Sequence, residues 1–122
     1  MSQQNISLLA LSVVAAGVLA AHRCIDGDGA YTAAGAPALG VTRSSAAAAG
    51  ELVPVDVIGT AVVEAEAAIT ADLFLQVGTD GKVIPHTTGV PVARAAPGAT
   101  AAADGDLLEV ILLLAIPHSP DT

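Results

Sequence analysis

Leu52-Val-Pro-Val-Asp-Val-Ile-Gly-Thr-Ala-Val-Val-Glu-Ala-Glu66 alternates between apolar and polar positions. Val53, Val55, Val57, Ala61 and Val63 share one parity, while Asp56, Thr60, Glu64 and Glu66 share the other. Successive side chains of a strand point to opposite faces, so the pattern reads as a half-buried strand or strand pair. Gly59 marks a bend or bulge within it. Pro54 lacks a ladder donor, which places this strand at an edge or in irregular pairing there.

The flanking sequence supplies further short strands separated by turn residues. Leu73-Phe-Leu-Gln-Val77 and Lys82-Val-Ile84 flank Gly78-Thr-Asp-Gly81, and Asp-Gly between two apolar runs predicts a hairpin. Upstream, His22-Arg-Cys-Ile25 is a short strand closed by Asp26-Gly-Asp-Gly29, and Pro37 leads into Ala38-Leu-Gly-Val-Thr42. Downstream, Val90 to Arg94 is a strand, and Leu107 to Leu114 is almost continuously apolar, as a central strand covered on both faces would be. Alanine-rich connectors, Ser44 to Ala49 and Pro97 to Ala103, precede Gly50-Glu51 and Asp104-Gly-Asp106. The fold class predicted is mainly β: a small antiparallel β-barrel or sandwich with an extended N-terminal arm. Residues 1–21 form the arm, 22–116 the β domain and 117–122 a polar C-terminal tail.

A weak echo runs through this pattern. Gly35-Ala-Pro-Ala38 stands before Ala46-Ala-Ala-Ala-Gly-Glu-Leu-Val53 much as Gly89-Val-Pro-Val92 stands before Ala101-Ala-Ala-Asp-Gly-Asp-Leu-Leu108. Two copies are too few for a solenoid, so the echo reads as two similar crossings of one barrel.

Composition narrows the functions available. The 122 residues carry 12 acids and 4 bases, a net charge of −8. Phosphate binding needs clustered cations, and Arg23, Arg43, Lys82 and Arg94 are scattered, so nucleic acid is not a predicted partner. Tyr31 and Phe74 are the only aromatics. A small domain with so little aromatic burial relies on partner subunits for stability.

The uncharged run Ile6 to Ala21 needs a separate reading. No Lys or Arg precedes it, and it falls short of the roughly 20 residues that span a bilayer. Both parities are apolar, so the segment suits burial on two sides or contact with another protein. Ile6, Leu8, Leu9, Leu11, Val13 and Val14 are the residues predicted to make that contact. Arg23, Arg43 and Arg94 either pair with partner carboxylates or are ordinary surface charges. The alternative is a secreted or membrane-anchored small β domain with residues 6–21 as its targeting segment.

No chemistry-bearing constellation emerges. His22, His86 and His118 lack metal-ligand spacing, and Asp26-Gly-Asp-Gly29 lacks the later ligands of a calcium loop and reads as a turn. Cys24, the single cysteine, reads as a small buried hydrophobe, and Glu64 and Glu66 as the solvated face of a strand. No catalytic residue, metal or cofactor is assigned, and the chain is not predicted to be an enzyme.

Pro37-Ala-Leu-Gly-Val-Thr42, Ala49-Gly-Glu-Leu-Val-Pro-Val55 and Gly59 resemble the phage capsid cement (head decoration) protein family. So do Gly89-Val-Pro-Val-Ala-Arg-Ala95 and Ala103-Asp-Gly-Asp-Leu-Leu-Glu-Val-Ile-Leu112. The resemblance spans about residues 18–114 and lies in the order and spacing of short motifs. Ala71-Asp72 departs from the family's usual Gly-Asp before the middle strand. The resemblance implies a small β domain that assembles as a homotrimer on the outer surface of an expanded icosahedral head. It implies three-fold and quasi-three-fold positions, the major capsid protein as partner and a mechanical role; charge and the short apolar run are what argue against nucleic-acid and membrane partners.

Overall fold

β4 (Leu52–Glu64) is the longest strand, and the rest of the fold is arranged around it. The computed structural model describes residues 7–113. The other strands are β1 (Ser7–Val14), β2 (Cys24–Ile25), β3 (Gly40–Thr42), β5 (Phe74–Val77), β6 (Val83–Pro85), β7 (Ala93–Ala95) and β8 (Leu107–Leu112). They pair antiparallel in the order β2-β3-β4-β8-β7-β5-β6, with β1 also on β4, and the sheet curls into a nearly closed, barrel-like form. The predicted mainly-β, antiparallel class is the class observed.

Gly59 divides β4. Residues up to it pair with β1 and β3, and Thr60 onward pairs with β8. Its φ of +113° is a conformation that glycine adopts readily, so the bend falls where the strand changes partners. Pro54 does not place β4 at an edge, because β1 lies on one side and β3 on the other. The proline carbonyl accepts Arg43 N–H at 2.9 Å just past the end of β3, where no donor is needed in return.

The predicted hairpin is present: Val77 pairs with Val83 across a 3-10 turn at Thr79–Gly81. β8 is central in the sheet order and is covered on both faces over its middle: Leu108 and Val110 are buried on one face and Glu109 on the other. The second face opens toward the strand's end, where Ile111 is 38 % exposed. Leu114 and the tail 117–122 fall outside the described residues.

The N-terminal segment, expected as an extended arm against another surface, lies over its described part on this chain's own sheet. From Ser7 to Val14 it is β1, hydrogen-bonded along β4, with irregular register between Ser7 and Ala10. Its backbone groups need partners wherever apolar contact excludes water, and the edge of β4 supplies them. Beyond β1, Ala15 and Leu19 are buried in the body.

The sequence echo is a repeat at the level of register. In the first half Val14 pairs with Leu52, Val13 with Val53, Leu11 with Val55 and Ala10 with Asp56. In the second, Glu64 pairs with Leu107, Val63 with Leu108, Ala61 with Val110 and Thr60 with Ile111. The ladder Cys24–Val41–Asp56 recurs as Phe74–Arg94–Ile111. Two of the four isolated bridges among the described residues also match, Leu19 with Ala46 and Ile69 with Ala101. Each half has its own core: Leu19, Ile25, Val53 and Val55 in the first, and Ile69, Leu75, Leu108 and Val110 at the matching positions of the second. The two Gly-x-Pro segments touch, since Val90 N–H donates to the Gly35 carbonyl at 2.9 Å.

Candidate interaction surface

β1 presents an apolar surface that its own domain leaves uncovered. Leu8 is 75 % exposed and Val14 56 %, and Leu9 and Leu11 are also exposed. Val13 is half-buried and packs on the first core cluster. Ile6 lies outside the described residues. Leu52, which the sequence reading did not single out, extends the patch, being paired with Val14 and 68 % exposed; Val18, just beyond β1 in the chain, is also exposed, at 70 %. Leu52 begins an alternating strand and Val18 follows Gly17, so neither carries a pattern that separates it from core residues.

The two faces of β1 differ, which explains why both parities are apolar. Leu11 and Val13 pair with Val55 and Val53 and so share the face of the first core cluster. Val14 and Leu52 stand on the opposite face. Among the described residues β1 pairs only with β4, leaving its other edge open. An apolar strand with one open edge is suited to hold another polypeptide.

The three arginines have separate fates. Arg23 is tied within the chain: its Nη2 lies 3.2 Å from Glu64 Oε1, its Nη1 donates to the Asp80 carbonyl, and its guanidinium lies 5.7 Å from the Tyr31 ring centre. Arg43 Nη2 reaches Asp56 Oδ1 at 2.6 Å, neutralising a carboxylate buried in β4. Arg94 has only a loose approach to Asp72, at 3.9 Å, and lies over the Phe74 ring, 5.4 Å from its centre.

Glu64 and Glu66 are not a solvated face. Glu64 bridges Arg23 and Lys82, the latter at 3.3 Å, while Lys82 also reaches Asp104 at 2.9 Å. Glu66 accepts Thr79 N–H at 2.9 Å and holds the hairpin turn. Asp26 accepts the N–H groups of Asp28 and Ala30, as its turn reading requires.

Potential reactive groups are absorbed by structure. Cys24 is buried, which pushes its thiol up to about 12. A cavity beside it, lined by Val41, Val63, Val83 and Val110, measures about 10 Å³, room for one water at most. His22 Nδ1 meets the Val62 carbonyl and His86 Nε2 the Gly89 carbonyl. His118 lies outside the described residues.

No family model matches the chain, and no curated protein sequence matches it either. Among solved structures, the crystal structure of the head fiber gp8.5 N base of bacteriophage phi29 is similar, with a TM-score of 0.68 at 19 % sequence identity. The match covers 90 % of this chain and 98 % of the phi29 chain, so it takes in both halves of the repeat. The chain thus shares the fold of this phi29 protein, itself a component of a phage head, the kind of protein its short motifs resemble.

Proposed function

We propose that this protein is a structural component of a phage head, a cement or decoration protein bound to the outer surface of the capsid. The similarity of the whole domain to a phage head fiber base carries this reading. On it, homotrimers occupy three-fold and quasi-three-fold sites of the expanded icosahedral shell and bridge subunits of the major capsid protein. The role is mechanical and non-catalytic.

Leu8 and Val14 of β1, with Leu52 and Val18, are the shell-binding surface on this reading. Burial of apolar area stabilises at roughly 25 cal/mol per Å², and three such surfaces on one trimer bind multivalently. The net charge of −8 suits an exterior position away from packaged DNA and keeps the free protein soluble.

Sedimentation with purified heads tests the proposal. The full chain should co-sediment with expanded heads, saturate at a multiple of three copies per site, and remain in the supernatant with unexpanded heads. Failure to bind expanded heads at any concentration would remove the proposed function.

A further inference from the structure

The repeat identifies a second surface, separate from the outward face of β1. Within the chain, the two halves meet because Cys24 and Val41, on the back of the first half's sheet, pack into the core of the second beside Val63 and Val110. The matching back positions of the second half are Phe74 and Arg94, with Ile111 in the same ladder. There the cover is missing: Phe74 is 48 % and Ile111 38 % exposed, although Phe74 is one of only two aromatics in the chain.

The first half's core is open in a complementary way. Val63 and Ala61 of the second half are fully buried, whereas their counterparts Val13 and Leu11 are half-buried and exposed. The molecule therefore has an uncovered back on one half and an incompletely covered core on the other.

We infer that the Phe74–Arg94–Ile111 face docks on the Leu11–Val13 face of a second copy of this chain, repeating between copies the contact that joins the halves within one. Such a head-to-tail contact is heterologous and closes into a ring when its rotation permits. Arg94, whose approach to Asp72 is a loose 3.9 Å, lacks a tight ion pair among the described residues. An arginine stacked on an aromatic ring is a frequent anchor of protein interfaces. The inference rests on the self-assembly proposed above and assigns the face that makes it.

Two measurements test it on the full chain. Sedimentation velocity of Phe74→Asp and Ile111→Asp should show self-association weakened roughly 30-fold or more, the loss typical of an interface anchor. Circular dichroism and melting should match the parent, because both side chains are exposed. Chains carrying Ile111→Cys, mixed with chains carrying Leu11→Cys and a short bis-maleimide, should cross-link between the two types, Cys24 being buried. Each variant alone should cross-link poorly. A wild-type oligomer unaffected by either aspartate, or cross-links only between like chains, would overturn the assignment and leave self-assembly standing. A wild-type chain that stays monomeric throughout would remove self-assembly together with the face, and head binding is scored separately.

Discussion

Val14 and Leu52 are direct cross-strand partners, and both remain exposed, at 56 % and 68 %. At the matching position of the second half the pair is Glu64 and Leu107, and there the glutamate is held by Arg23 and Lys82. The same place in the ladder is thus an ionic staple in one half and bare hydrocarbon in the other. A pair of this kind contributes little to the fold of an isolated domain and has its full effect when another surface covers it.

Replacing Leu8 and Val14 together by aspartate tests that separation of roles. Folding stability should change by no more than about 1 kcal/mol, as for exposed strand positions. Head binding should fall below detection in the sedimentation assay. A large loss of melting temperature instead would make the patch part of the core.

The Arg43–Asp56 pair predicts an asymmetric result. Arg43→Met leaves the Asp56 carboxylate buried without its cation and should cost about 3 kcal/mol. Asp56→Asn leaves an arginine that is already 44 % exposed and able to hydrate, and should cost about 1 kcal/mol. Urea unfolding of both variants measures the order, and equal losses would contradict it.

Burial of Cys24 predicts weakening in alkali. Its thiol is pushed from 9.0 up to about 12 in the folded chain, so above pH 9 the unfolded chain releases a proton that the folded chain retains. The contribution is complete below the unfolded value and is lost as pH rises toward the folded one. Lys82, raised by its bond to Asp104, acts in the same direction at high pH. The fall in melting temperature between pH 8 and pH 11 should therefore shrink, without vanishing, in Cys24→Ala. An unchanged fall would show that thiol burial is not its source.

The meeting of the two Gly-x-Pro segments can be probed with one methyl group. A Cβ on Gly89 would lie 2.6 Å from Gly35 Cα, so Gly89→Ala should cost about 1–3 kcal/mol. Gly27→Ala, where nothing lies within 4 Å, should be close to neutral. Thermal unfolding of the pair tests whether the halves interlock there.

The strands were legible in the sequence where one parity is polar and turn residues punctuate the chain. Leu52 to Glu66 and the Asp-Gly hairpin are the clearest cases. The repeat was visible as an echo, but its registers were not, because alanine-rich connectors carry little positional information. β1 read as an arm because both its faces are apolar, and side-chain pattern does not say whether a backbone pairs with its own domain or another. Pro54 misled because its missing donor counts only on the side where β3 ends. The exposed half of the candidate surface, Val18 and Leu52, has the composition of a core, and only packing separates the two. Arg23 and Arg43 could not be told from free surface cations, since their partners Glu64 and Asp56 lie 41 and 13 residues away.

Imaging of an intact decorated head at side-chain resolution would show which face of the chain meets the shell. Three copies are expected around each occupied three-fold position, with Leu8, Val14, Val18 and Leu52 covered by major capsid protein. A bound chain whose β1 surface faces solvent while another face meets the shell would contradict the account.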